Sequence, residues 1–527
     1  MENNRIPRTG TYMTTDNPSG DSSNWFRRHR NLLIFSGLTA LYLLPFMTFF
    51  QSGPWEFDAV RVLHGAVFAR DFVEDQGPGS FYWNALFMKV FGADFFGARV
   101  CLYFTSLGTG IALYFLAQQV CRSYRWLPAV AFVAVYFGDQ WPLMNYHTDS
   151  DFFALLAVVC MVLWYEGRGS RWLWAAGFLA AVTSYTLQPK GLFLYLAIAA
   201  WMVVLYLRRE TGLRPILTLT VSYAVSMLVP LLYFWREGAL WDLIYANLIW
   251  PATHYSSVND VPYGFHTMEY WRELTHPVHG SYALAVFAPV LTAPYFFIDA
   301  LPLLLAILIA LRWGDALQPR IVLFLLCGGS MWLSEYHRKG LGHLACGSPL
   351  LIIVLCFLLL EYRTKAANIA LQALAICSVA LASFNLLMMA GAHPMHTRVG
   401  TVRVYKSFPV VKYLEEHTHP GEYIFCFQYC PSYYFLDETP NPTRYNLLTY
   451  NFYTKAQFEQ AIRELARYKV KYVVWQGGKA LKELYHLLPG SDKRPPYGFI
   501  MDDYLHAHYH EVTSFKNGMQ IWERNGD

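Results

Sequence analysis

Eleven apolar stretches, most of them separated by a few residues, occupy positions 31–391 and leave this chain few ways to fold. They cover 31–50, 100–119, 126–144, 152–165, 172–187, 191–207, 215–235, 293–311, 320–334, 347–362 and 366–391. In hydrocarbon a backbone must satisfy its hydrogen bonds within its own segment, so such runs cross a membrane as helices. Several fall short of the ~20 residues a crossing needs and must lean on neighbours or end in loops that dip into the bilayer. Composition agrees: 55% of the 527 residues are apolar, 15% are charged and the net charge is +4. With no long Lys/Arg run, nucleic acid is excluded as a partner. Aromatic residues at 17% suit a protein with many water–lipid boundaries.

Loop charge sets the sides. Arg122 and Arg125, Arg168 and Arg171, Arg208, Arg209 and Arg214, Arg312 and Arg320, and Arg363 and Lys365 fall in alternate loops, on the side of a polar N-terminal tail (1–30) that ends Arg27-Arg28-His29-Arg30. The positive-inside rule makes that side cytosolic. The first apolar run is too long for the apolar region of a cleaved signal. The segment 281–311, with Pro289, Pro294 and Pro302, is long for one crossing and short for two; its first half is expected to be interfacial or re-entrant.

The opposite side then receives a first loop at 51–99, short connections near 144–151 and 188–190, further loops at 236–280 and 335–346, and a tail at 392–527. The tail has mixed polarity, with strand-like runs at 423–427 and 471–475 and a helical pattern at 455–468 carrying Phe458, Ile462 and Leu465. It reads as a small α/β domain. The expected fold is thus a polytopic helical membrane protein of about eleven spans with an exoplasmic α/β domain.

Chemistry-bearing residues cluster on the exoplasmic side. In the first loop Glu56 and Asp58 precede a helical pattern (Ala59, Val60, Leu63, Val67) that reads as an interfacial helix, and Glu74 and Asp75 follow it. Carboxylates at a lipid surface suit deprotonation of an acceptor hydroxyl, with a neighbour orienting the acceptor or holding a cation. His147 and Asp149 sit at a membrane edge where ionisable groups are costly unless they line a wet cavity. Lys190, Arg338, Lys339 and His343 form a cationic set of the kind that holds a lipid phosphate. His276, in His-Pro-Val-His, is a weak candidate metal ligand. Cys426 and Cys430 are spaced so that they either bridge or stay as thiols. There is no Walker loop or dinucleotide fingerprint, and the cytosolic loops are a few residues each, so a nucleotide cofactor is not expected.

The order of these features resembles GT-C fold glycosyltransferases, in the group of family 39-like, protein-mannosyltransferase-like and Rgt-type galacturonosyltransferase domains. The resemblance rests on the acidic first loop with Arg70-Asp71-Phe72, Gly77-Pro78-Gly79 and the aromatics to Trp83, on Leu86 to Gly92, on His343, Leu344 and Pro349, and on the tail segments Pro420-Gly421-Glu422 and Pro440 to Tyr445. It implies transfer of a sugar from a polyprenyl-phosphate donor to an exoplasmic lipid, glycan or protein acceptor, at the inner (cytoplasmic) membrane with the site facing the periplasm. It implies Asp58 as general base with Glu56 second, although Ala59 stands where the family's Asp-Glu pair continues. Glu74, Asp75, His147 and Asp149 would meet the acceptor or a divalent ion (Mg, Mn or Zn), and Lys190, Arg338, Lys339 and His343 the donor phosphate. The competing expectation is a transporter or lipid flippase, which calls for charges near mid-membrane rather than on one face.

Overall fold

The computed structural model describes residues 22–51, 53–138, 143–255, 261–276 and 282–526. The tail 1–21 lies outside them. Among the described residues, each of the eleven apolar runs is mainly helical. Seven segments are long and apolar enough to cross a membrane: His29–Thr48, Phe95–Gln118, Tyr146–Tyr165, Gln188–Leu207, Leu213–Arg236, Leu284–Leu311 and Lys365–Ala390. Leu341–Gly347 and Pro349–Tyr362 form an eighth if read as one span, bent by 65°. The shorter helices Leu127–Gly138, Arg171–Thr186 and Pro319–Glu335 pack among them. Large apolar side chains such as Leu38, Val229, Leu303 and Ile376 stand exposed along the outer faces, as they must if lipid is the solvent there.

Local sequence explains where the helices start. Asp94 accepts from the backbone N–H of Gly97, Asn145 from Thr148 and Thr364 from Ala367, each satisfying an amide that the first turn leaves unpaired. Two expectations change. The first half of 281–311, expected to be interfacial or re-entrant, does not turn back: from Tyr282 a 3-10 turn leads into one helix, Ala288–Leu311, that carries Pro294 and Pro302 without breaking. Residues Gln188–Lys190 are the first turn of the helix Gln188–Leu207, with Pro189 at a position where its missing N–H costs nothing.

The tail begins with a hairpin, β1 (His393–Thr397) and β2 (Gly400–Val404). A four-stranded sheet follows, built from β3 (Ile424–Phe427), β4 (Tyr472–Gln476), β5 (Tyr509–Ser514) and β6 (Met519–Arg524) in the order β3-β4-β6-β5. β3 and β4 are parallel, with Phe425 opposite Val473, and the other pairs are antiparallel. The helix Lys455–Arg467 is opened by a reciprocal cap between Thr454 and Gln457 and buries Phe458, Ala461 and Leu465. Cys426 and Cys430 are buried free thiols.

The tail is docked on the first loop. The loop's helix is Trp55–Leu63, and its Phe57 and Ala59 are buried in one cluster with Tyr434, Phe435 and Leu436 of the tail. Its apolar face therefore meets protein, where an interfacial helix would have met lipid. The extended stretch after it is stitched to the tail as well: Val73 N donates to Arg444 O at 2.9 Å.

Candidate functional site

Two glycines bring the acidic stretch of the first loop to the membrane helices. A Cβ at Gly77 would overlap the carbonyl of Tyr185, and one at Gly79 would collide with Thr186, so only a chain without side chains there can lie against the corner between helices Arg171–Thr186 and Gln188–Leu207. Amide side chains pin the backbone beside it. Asn247 Nδ2 donates to Gln76 O (2.8 Å) and Glu74 O (3.4 Å), and Gln188 Nε2 donates to Asn247 O (3.3 Å) and Asp75 O (3.5 Å).

Glu74 and Asp75 thereby sit on the wall of a cavity of about 510 Å³. The same cavity is lined by His147, Tyr255, Arg338 and His343 from the membrane helices and their loops, and by Tyr429 and Leu447 from the tail. A smaller cavity of about 120 Å³ shares Glu74 and Asp75 and is lined by Tyr245, Trp250, Arg444 and Tyr453. One carboxylate wall thus faces two spaces.

Asp58 and Glu56 are not on that wall. Both are fully buried in the helix Trp55–Leu63. Asn446 of the tail reaches across 388 residues of sequence to donate one Nδ2 hydrogen to Asp58 Oδ1 (2.7 Å) and another to Glu74 Oε1 (3.0 Å). Asp58 stands behind Glu74, with Arg61 Nη1 at 3.9 Å. Glu56 lies against Arg99 Nη2 at 3.7 Å, both out of solvent. Burial pushes Glu56 and Asp58 up to about 7, Arg99 and Arg61 respectively opposing it. Glu74 is raised well above the ordinary carboxylate range by burial, reinforced by the charges of Asp58 and Asp75. Asp75 rises to about 6 through burial, opposed by a backbone hydrogen bond and by Arg338. Of the four, Asp75 combines access to the cavity with ionisation at neutral pH.

The facing wall is held from behind. Glu335 Oε1 is 3.0 Å from His147 Nδ1 and Glu335 Oε2 is 3.2 Å from His343 Nδ1, and the two rings meet edge to face at 4.3 Å. Lys190 Nζ lies 2.6 Å from both Glu335 Oε1 and Asp151 Oδ1, with no exposed surface. Lys190 is therefore spent on a buried ion network and does not reach the cavity. Arg338 does reach it and donates to Leu487 O at 2.7 Å. Lys339 points over the Tyr336 ring, 5.8 Å away. Asp149 is buried and accepts a hydrogen bond from Ser80, tying two helices together outside the cavity.

His147, Glu335 and His343 bring ligand atoms within 4.8 Å of one another, the one group among the described residues that could hold a metal ion. Lys190 already neutralises Glu335 from 2.6 Å, and a divalent ion on that carboxylate would have to displace it. The donor set thus suits a hydrogen-bonded network better than a metal. His276 is exposed, bonded through Nδ1 to Thr275 Oγ1 at 2.9 Å, and apart from this group; His279 lies outside the described residues. Glu335, Asn446 and Asn247 escape a reading of the sequence. For Glu335 the signal is a lone acid at a span end, which asks for a cationic partner.

A polytopic helical body thus carries a small sheet domain that closes over acidic first-loop residues. No protein-family model matches the sequence, and no curated protein matches it significantly. Among solved structures, the fold is similar to that of ArnT from Cupriavidus metallidurans bound to undecaprenyl phosphate, with a TM-score of 0.52 over 95% of this chain and 98% of that one, at 11% identity. The apo state of the same protein covers the same shares at 9% identity, with a TM-score of 0.48. ArnT is a GT-C fold glycosyltransferase, and the likeness extends over essentially the whole chain.

Proposed function

We propose that the protein is an inner-membrane glycosyltransferase that moves a sugar from a polyprenyl-phosphate donor to an acceptor hydroxyl on the periplasmic side, with residues 392–527 forming a periplasmic domain that completes the site. The observation that carries this reading is the cavity's polarity: Glu74 and Asp75 on one wall, Arg338, His147 and His343 on another. A carboxylate wall takes a proton; a wall of guanidinium and imidazoles holds a phosphate. The similarity to ArnT, a protein seen with undecaprenyl phosphate, supports a lipid of that class as donor.

Each step falls to a named side chain. The prenyl tail lies between helices, and the donor phosphate is held by Arg338 with His147 and His343, which Glu335 orients. Lys190 acts one layer back, fixing Glu335 through the ion pair it also makes with Asp151. Asp75 takes the proton of the acceptor hydroxyl. The hydroxyl oxygen forms its bond to the anomeric carbon as the carbon–oxygen bond to phosphate breaks, and the electron pair leaves with the polyprenyl phosphate. Geometry moves the proposed base from Asp58 to Asp75, because Asp58 is walled off behind Glu74 and Asn446. Asp58 and Glu74 instead hold the acidic stretch in place. No step requires a metal on Glu335.

Purified protein in nanodiscs, given a panel of radiolabelled polyprenyl-phosphate sugars and a membrane-lipid and glycan extract as acceptor, should label an acceptor in the wild type and not in Asp75→Asn. Full activity in Asp75→Asn removes the base assignment. Donor movement between leaflets with no labelled product from any donor removes the transferase reading in favour of a flippase.

A further inference from the structure

On the far side of Arg444 from the candidate site lies a third cavity, an open groove of about 660 Å³ between the helix Trp55–Leu63 and the tail. We propose that this groove is an extended acceptor subsite that holds a neutral oligosaccharide; the proposal rests on the transferase reading and names its acceptor class.

Continuity carries the argument first. Arg444 lines both the groove and the small cavity that shares Glu74 and Asp75 with the donor space. Groove and small cavity are neighbours, divided by the pairing of Val73 N with Arg444 O (2.9 Å) and by the hydrogen bond from Tyr445 OH to Gln460 Oε1 (2.9 Å). The three spaces therefore adjoin in the order groove, small cavity, donor space, and an acceptor held in the groove lies one wall away from the stretch that carries Asp75.

The lining then selects the ligand. Tyr423 and Tyr468 stand 36% and 40% exposed at the groove, with ring centroids 4.8 Å apart, so that each ring packs against the other and offers part of its surface to water. Sugar rings present flat C–H faces that pack on such exposed aromatic surface. Charge argues against an anionic ligand. Arg61 faces Asp58 at 3.9 Å and donates to Thr443 O at 3.0 Å, Arg70 pairs with Asp71 at 2.8 Å and Glu237 at 3.4 Å, and Arg444 donates to Ala69 O. The guanidinium groups are thus occupied within the protein, and Glu438 and Glu464 share the lining. The volume falls in the range of built ligand sites and admits more than one ring.

The test uses the full chain in nanodiscs with maltotetraose, cellotetraose, chitotetraose and mannotetraose, read by saturation-transfer difference NMR. Wild type should bind at least one tetrasaccharide saturably, and Tyr423→Ala and Tyr468→Ala should each weaken that binding by about tenfold. Both positions are surface residues, and thermal unfolding checks that the variants fold. Absence of saturable binding by all four sugars, or equal binding in both tyrosine variants, overturns the subsite. So does displacement of the bound sugar by a neutral tetrapeptide at equal concentration, which would make the groove a peptide site. Release of labelled sugar from the donor to water reports the transferase separately. Release without tetrasaccharide binding sinks the subsite alone, and tetrasaccharide binding without any turnover sinks the transferase reading.

Discussion

Replacing Asn446 by Ala tests whether one tail amide sets the charge state of the acidic cluster. Its two Nδ2 hydrogens go to Asp58 Oδ1 at 2.7 Å and Glu74 Oε1 at 3.0 Å, all three side chains being buried. A hydrogen bond to a charged group contributes roughly 1.5–3 kcal/mol and one between neutral groups about 1 kcal/mol. Two buried carboxylates that share a donor do not both ionise at neutral pH, so the amide is worth about 3 kcal/mol there. The sign follows from Asp58. Burial lifts it from its ordinary 3.8 to about 7 in the folded protein, and the Asn446 bond holds it below where burial alone would take it. A carboxylate raised on folding makes the folded state bind the proton more tightly. Stability from this group is therefore present at low pH and lost as pH rises through about 7.

Without Asn446 the folded value climbs by about one unit for each 1.36 kcal/mol lost, and the decline continues to higher pH. In thermal unfolding of the purified protein the melting temperatures of wild type and Asn446→Ala should differ by a steady amount up to about pH 7, the lost neutral hydrogen bonds, and separate further between about pH 7 and pH 8. Turnover should fall in the variant at every pH, because Glu74 loses its tether one residue from the proposed base. A gap in melting temperature that stays constant, or closes as pH rises, refutes the assignment of Asn446 as the stabiliser of ionised Asp58.

Asp75 is raised to about 6, so the acid limb of kcat/KM should fall as pH drops through about 6, the base being protonated below that point. Arg338 opposes the rise, so Arg338→Met should move the limb to higher pH and also raise KM for the donor; an unmoved limb with normal KM places Arg338 outside the site. Lys190→Met leaves Asp151 and Glu335 buried without their cation and should cost roughly 3–5 kcal/mol of stability, whereas the double change Lys190→Met with Asp151→Leu should recover part of it. Melting temperatures in which the double variant falls below the single one would contradict the network. Chelator should leave turnover unchanged if Lys190 and not a metal neutralises Glu335; activity lost to chelator and restored by Zn or Mn would show that a cation displaces the lysine.

What could be read from the sequence divides along physical lines. The spans were legible because burial in lipid is written residue by residue in hydropathy. Strands β3 and β4 and the helix Lys455–Arg467 were legible because their apolar spacing is local. Arg338, His343, Glu74 and Asp75 stand out in the sequence because charge beside a membrane is costly enough to demand a reason, and all four line one cavity. The errors have one cause. Lys190 looked like a free cation because its partners Asp151 and Glu335 lie on other helices, and the sequence does not show which acid a buried cation meets. Asp58 looked accessible because its cover is the tail, which reaches back 388 residues through Asn446. Amide side chains such as Asn446 and Asn247 carry neither charge nor periodic signal, yet they place the acidic stretch. The same reasoning makes the tail part of the site. A protein lacking residues 392–527 would keep its spans but would bare Asp58 and Glu74 to water, where both would ionise at ordinary values and the proposed base would lose the ordered stretch that presents it.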